Sequence, residues 1–179
     1  MSVRPGTDAD AAAAAKLVRQ VLLEHGLPFE PTGVDADILA PQTHYSAGGG
    51  AFYVATDAGG GIVGTAALER TGPTSGEVRK MFLLPEARGN GIGQALLDAV
   101  LAAARARRLE RVTLSTRFRY GRAIRLYERA GFRLVGSARQ ARGGEIGLIY
   151  ELDLAGHSTD CQPARLPVPA AHPRPRSVQ

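Results

Sequence analysis

The run Glu77-Val78-Arg79-Lys80-Met81-Phe82-Leu83-Leu84-Pro85-Glu86-Ala87-Arg88-Gly89-Asn90-Gly91-Ile92-Gly93 sets the fold of this chain. Its first half reads as a strand that Pro85 ends, because proline has no N–H to give to a sheet ladder. Its second half is glycine-rich and opens a helix. From about Gly91 to Arg107 the apolar residues fall at 92, 95, 96, 99, 100 and 103, the one-sided spacing of an amphipathic helix. A helix start leaves backbone N–H groups without partners and carries partial positive charge. Glycines there let an anion come close, and Arg88 adds a full charge, so residues 88–93 form an anion cradle. The spacing Gly89-x-Gly91-x-Gly93 lacks the dinucleotide G-x-G-x-x-G pattern. No G-K-[ST] follows, which excludes an NTPase loop.

Outward from this run the chain alternates strands and helices. Val3–Pro5 is a short opening strand. Thr7-Asp8-Ala9-Asp10 starts a helix that runs to about His25 and stops at Gly26. A second, short helix is expected over residues 34–46, broken by Gly48–Gly50. Residues 51–56 and 62–70 make a hairpin about 57–61, and 77–84 is the next strand. After the long helix come a strand at 111–115, a helix at 122–130 stopped by Gly131, and strands at 132–137 and 146–154. An Arg/Gly-rich loop, 139–144, joins the last two. The order is β-α-α-β-β-β-α-β-α-β-β, an α/β fold with a mixed central sheet flanked by helices.

From about Ala155 the character changes. Pro163, Pro167, Pro169, Pro173 and Pro175 crowd a stretch with no apolar periodicity. The expectation is a folded domain at 1–154 and a disordered tail at 155–179.

Two segments carry a family resemblance. Val78 to Leu97, with Arg88-Gly89-Asn90-Gly91-Ile92-Gly93 at its centre, resembles the acetyl-CoA-binding motif of the GCN5-related N-acetyltransferases (GNAT). That motif is Arg/Gln-x-x-Gly-x-Gly/Ala between a strand and a long helix. Downstream, Ala123-Ile124-Arg125-Leu126-Tyr127-Glu128-Arg129-Ala130-Gly131-Phe132 is similar to the family's A-x-x-L-Y-E-x-x-G-F segment. The two occur in the family's order and separation. One position departs: the family often has asparagine three residues before the alanine of the second segment, and here that residue is Tyr120. Tyr120 or Arg122 is left to supply the asparagine's support.

The resemblance implies an acetyl-CoA-dependent N-acetyltransferase in which a primary amine attacks the thioester directly in a ternary complex. It implies that the strand before the cradle splays from its neighbour, so that Met81, Phe82 and Leu83 meet the pantetheine amides through their backbone. The Leu83 N–H is then the oxyanion donor. Arg88, Gly89, Asn90, Gly91, Ile92 and Gly93 hold the pyrophosphate. Glu77 is the candidate base, with Glu69 on the neighbouring strand as the weaker alternative. Tyr127 is the candidate acid for the departing thiolate. It shares a helical face with Ala123, Leu126 and Ala130, so a core role is open to it as well. Arg122 and Arg129 are open to the adenosine 3′-phosphate or to solvent. The acceptor site is implied at roughly 22–47 and 137–148, where Glu24, Glu30, Asp35 and Asp37 offer negative charge to an amine. Homodimers are frequent in the family, and a homodimer is the expectation.

Composition sets the alternatives. Hydrophobic residues are 44% of 179, enough for a core, and no apolar run is long enough to span a bilayer. The N-terminus has no signal-peptide pattern, so a cytoplasmic location is expected and no membrane partner. Cys161 is the single cysteine. His25, His44, His157 and His172 are scattered, so no metal site is expected. The net charge of +5 and pI near 9.9 raise nucleic-acid binding as a rival. The arginines are interleaved with acids, and no basic helix, zinc pattern or stacking motif is present, so no nucleic-acid partner is expected. The nearer rival is a non-catalytic acyl-CoA-binding module.

Overall fold

The computed structural model describes residues 1–140 and 144–156. The expectations for Cys161, His157, His172, nearly all of the Pro-rich stretch and the middle of the 139–144 loop lie outside the described residues.

Seven strands form one sheet: β1 (Ser2–Pro5), β2 (Ala51–Thr56), β3 (Ile62–Arg70), β4 (Ser75–Leu83), β5 (Arg111–Arg117), β6 (Arg133–Arg139) and β7 (Ile146–Asp153). Their order is β1-β2-β3-β4-β5-β7-β6. Every pairing is antiparallel except β4 with β5. A parallel neighbour needs a crossover, and the helix α2 (Ile92–Ala106) supplies it. The helices α1 (Ala11–Glu24) and α3 (Gly121–Arg129) complete the layers.

The sheet has a core on each face. Under α1, Leu17, Val18, Val21 and Leu22 pack with Ile38, Tyr45, Phe52 and Val54. Under α2, Ile92, Leu96, Leu97, Val100 and Leu101 pack with Leu68, Val78, Val112, Leu114 and Tyr127. Each large side chain so buried contributes about 1.5–3 kcal/mol.

The helix expected over 34–46 is instead two short turns, Ala36–Leu39 and Gln42–Ser46. Pro41 divides them. The residue before a proline is pushed out of the helical region, and Ala40 accordingly sits at φ −144°, ψ 64°.

Two features shape the centre of the sheet. The parallel pairing is short, from Ser75↔Arg111 to Val78↔Leu114. Beyond it the strands part: β4 continues to Leu83, while Ser115, Thr116 and Arg117 of β5 pair only with β7. The second feature is a bulge. Thr65 faces Phe82 but Ala67 faces Arg79, so Lys80 and Met81 share the place opposite Ala66. Lys80 takes φ +50° there. The extra residue resets the alternation of faces. Val78, Met81 and Leu83 join the α2 side, and Phe82 joins the α1 side. Arg79 and Lys80, adjacent in sequence, both reach Asp37 on the α1 side.

No helix among the described residues is long and apolar enough to cross a membrane.

Candidate active site

The cradle lies where β4 leads into α2. Gly91 is the residue before the helix, at φ +78°, and Gly89 is at φ +82°. An L side chain at Gly91 would be strained, so glycine is the residue this turn requires. The first bond of the helix runs from Ala95 N–H to Gly91 O at 3.0 Å, which leaves the N–H groups of Ile92, Gly93 and Gln94 without intrahelical partners. Among the described residues no side chain caps them, and nothing lies within 4 Å of where a Cβ on Gly89 or Gly91 would be. The result is an open, positively polarised concavity. Asn90 turns back, its Nδ2 donating to Glu86 O at 3.3 Å.

The parting of β4 and β5 opens the sheet beside this cradle. Leu84 N–H donates to Val63 O on β3 at 3.0 Å. Alternation then turns the Leu83 N–H and C=O to the other edge, towards the gap, and Phe82 back towards β3. The two resembling segments meet here. A methyl added to Gly93 would lie 3.4 Å from Leu126 Cδ2, 3.8 Å from Leu83 Cδ1 and 3.9 Å from Met81 Cε. Met81, Leu83, Gly93 and Leu126 are thus one cluster.

Arg88 does not point into the cradle. Its Nη1 and Nη2 donate to Glu24 Oε1 and Oε2 at 2.6 and 2.7 Å, and its Nε and Nη2 donate to Leu83 O at 3.1 and 2.9 Å. The planar guanidinium matches the carboxylate fork on one side and the carbonyl on the other. Arg88 holds the Glu24 carboxyl below its ordinary range.

Glu77 sits one residue before the strands part, in register with Glu69 on β3 and Thr113 on β5. Glu69 is occupied: Arg79 Nη1 donates to it, and His44 Nε2 lies 3.8 Å away. Glu77 has no hydrogen bond or ion pair among the described residues. Burial pushes its carboxyl above the ordinary value, against the pull of Arg79 and with the added push of Glu69. Glu77 therefore has a raised proton affinity and a carboxylate not engaged by the described residues.

Tyr127 lies on the other face. Its ring is 6% exposed in the α2-side core, 6.0 Å from the ring of Phe132. Both belong to the cap that ends α3. Phe132 N–H donates to Tyr127 O at 3.1 Å and Gly131 N–H to Glu128 O at 3.0 Å, with Gly131 at φ +93°. This is the Schellman arrangement, whose apolar contact joins these two positions. The L-Y-E-x-x-G-F pattern is therefore a helix stop as well as a site signature. Burial raises the Tyr127 hydroxyl's pKa, so it keeps its proton, as an acid must before it acts. Its ring is thus a core residue, and burial keeps its hydroxyl protonated.

Tyr120, where the family often has asparagine, starts α3 and packs at a tilt of 54° against His25 at the end of α1, with ring centroids 4.8 Å apart. Arg122 and Arg129 are exposed on α3.

Inference from the sequence missed the polar cluster behind the bulge. Lys80 Nζ lies 2.8 Å from Asp35 Oδ1 and 3.1 Å from Asp37 Oδ1, and it donates to Val34 O at 2.6 Å. Glu30 N–H donates to Asp35 at 2.9 Å, and the Tyr45 hydroxyl donates to Asp37. Asp37 Oδ1 accepts no hydrogen bond among the described residues; Lys80 Nζ faces it, and Arg79 Nη2 lies 3.8 Å from Asp37 Oδ2. Asp35 and Asp37, expected to offer charge to an amine, are instead buried in this pairing. The available signal was a break in strand alternation: two adjacent cations, Arg79 and Lys80, between Val78 and Met81.

An open mixed sheet parted beside an uncapped glycine-rich helix start is an acyl-CoA transferase architecture, and the comparisons with known proteins agree. Residues 48–134 match the Acetyltransferase (GNAT) domain family. The chain is 32% identical over 137 residues to the N-alpha-acetyltransferase RimI of Mycobacterium tuberculosis, covering 75% of this chain and 79% of that protein. It is 38% identical over 134 residues to a mycothiol acetyltransferase of Salinispora arenicola, covering 72% of this chain but only 42% of that longer protein. Among solved structures, a GNAT superfamily phosphinothricin acetyltransferase from Sinorhizobium meliloti in complex with AcCoA superposes with a TM-score of 0.74. The match has 23% identity and covers 94% of this chain and 95% of that one. This chain belongs to the GNAT acetyltransferase family. As a member it is an acetyl-CoA-dependent acyltransferase.

Proposed function

We propose that the protein transfers the acetyl group of acetyl-CoA to a primary amine of a small molecule or peptide, by direct attack in a ternary complex. The supporting observation is the uncapped start of α2 beside the parting of β4 and β5. The N–H groups of the Arg88–Gly93 turn and the first turn of α2 take the pyrophosphate, with Arg88, Gly89, Asn90, Gly91, Ile92 and Gly93 as its walls. Pantetheine lies in the gap as an added strand on Met81 and Leu83, with Phe82 between them in register with β3.

The amine arrives from the α1 face as an ammonium, whose pKa is near ~10. Glu77 takes a proton from it, directly or through water. The freed nitrogen pair attacks the thioester carbon, and the Leu83 N–H donates to the oxyanion that forms. Collapse of the tetrahedral intermediate breaks the C–S bond. The thiolate leaves on the α2 face and takes its proton from Tyr127, while the attacking nitrogen gives its second proton to water, from which Tyr127 is reprotonated. The products are an N-acetyl amine and free CoA. Base and acid thus stand on opposite faces of the sheet, and the gap lets the reaction pass between them.

Two relatives named an N-alpha-acetyltransferase and a mycothiol acetyltransferase support acetyl transfer as the reaction and leave the acceptor to the test below. The proposal includes a catalytic domain at residues 1–154, a cytoplasmic location and a homodimer, the last tested by sedimentation. The primary test is release of free thiol from acetyl-CoA across a panel of amino acids, polyamines, amino sugars and peptide N-termini. Amine-dependent release is expected. Tight CoA binding with no release from any amine would favour the non-catalytic module.

A further inference from the structure

Glu24 and Arg88 are 64 residues apart, yet they form a bidentate pair joining the end of α1 to the turn before α2. The Glu24 side chain is 36% exposed and that of Arg88 27%, and a pair so open to water adds little stability. Its geometry is more telling than its strength. The same guanidinium donates twice to Leu83 O, and the other end of that peptide, Leu84 N–H, is fixed to Val63 O. The Leu83–Leu84 peptide is therefore held at both ends. That fixes the backbone turn at Leu83, and with it the direction in which the preceding amide, the Leu83 N–H, faces the gap. Glu24 in turn fixes Arg88, because both fork nitrogens are committed to its two oxygens.

We propose that Glu24 is a positioning residue: through Arg88 it aims the Leu83 N–H at the acetyl oxygen, and so ties the acceptor-side helix α1 to the donor side of the reaction. This rests on the acetyl-transfer reading given above. Its consequence is that the Arg88 side chain serves the rate more than the hold on CoA. Removing an oxyanion donor outright costs about 100- to 1000-fold in rate, and a misaimed donor costs less. About tenfold is expected.

The test uses the full chain with Glu24→Ala, Glu24→Gln, Arg88→Ala and the double variant Glu24→Ala/Arg88→Ala. Binding of CoA is measured by calorimetry, turnover by thiol release, and exchange of the Leu83 amide by NMR on the ligand-free chain. Glu24→Ala should lower kcat about tenfold, leave the CoA dissociation constant within about twofold, and speed Leu83 amide exchange. Glu24→Gln, which keeps one acceptor oxygen, should recover part of the rate. The double variant should be no slower than Arg88→Ala alone. Two results would overturn the proposal. One is an Arg88→Ala variant that loses CoA affinity at unchanged kcat, which would make Arg88 a phosphate ligand. The other is a Glu24→Ala variant with unaltered Leu83 exchange. The exchange measurement needs neither CoA nor an amine, so it decides the positioning claim even where the amine panel shows no transfer.

Discussion

The start of α2 and the segment at 30–46 solve opposite problems. At 88–94 the chain leaves polar groups open: among the described residues the start of α2 has no cap and nothing fills the space over Gly89 and Gly91. At 30–46 it closes them, with Asp35, Asp37, Tyr45 and Lys80 buried against one another behind the bulge of β4. The open region costs little when empty, because water satisfies it. The closed region is expensive to disturb, because water cannot reach it. Ligand binding should therefore be sensitive in the first region and folding in the second.

The largest expected effect is on folding. Lys80→Met leaves the buried Asp35 and Asp37 without the ammonium between them, Arg79 remaining 3.8 Å from Asp37, and should cost about 3–5 kcal/mol. Urea unfolding should show a lower midpoint at unchanged slope. Adding Asp35→Asn to that variant should restore part of the loss. A change below about 1 kcal/mol would erase the contrast between the two regions.

Gly91→Glu is the matching change in the open region. It should reduce CoA affinity by at least about 100-fold in calorimetry, since it places a carboxylate where phosphate is to sit. The fold should survive with a loss of about 1–2 kcal/mol from the left-handed backbone. Unchanged affinity would refute the cradle assignment.

Glu77 lies between the regions. Glu77→Gln should lower kcat/KM about 100-fold and flatten its acid limb, whose inflection in the wild type should stand above the ordinary carboxylate value. The sign for stability follows from the same shift. A carboxyl raised on folding gives stability below its unfolded pKa and loses it as pH rises through the folded one. Glu77→Gln should therefore gain stability relative to the wild type as pH rises from the unfolded carboxylate pKa through the raised folded one. The smallest effect is that of Tyr127→Phe: about tenfold in kcat, with little change in stability, because its hydroxyl has no hydrogen-bond partner among the described residues.

The same contrast explains how much was legible in the sequence. The fold and the glycine-rich helix start were, because their signals are local: apolar runs in β2 and β3 bounded by turn residues, the 3.6-residue period of α2, and glycines at positions of positive φ. The Schellman cap of α3 is local too, six residues from Tyr127 to Phe132. The buried polar cluster is built from partners 45 residues apart, as in Lys80 with Asp35, and no local period records them. Periodicity also overran at 34–46, where Pro41 divides what reads as one helix. Arg88 shows the limit within the cradle itself. Its position before the glycines was legible, but its partner Glu24, 64 residues away, was not.

The short parallel seam from Ser75↔Arg111 to Val78↔Leu114 has a mechanical meaning. Four strands stand on one side of it and three on the other. A plate notched in this way concentrates load at the tip of the notch, here the pair Val78 and Leu114. Pulled apart across the seam, the molecule should tear from that tip. A ligand that occupies the notch as an extra strand would act as a stitch across it. Rupture force under such a pull would then report occupancy directly, with no chemical step.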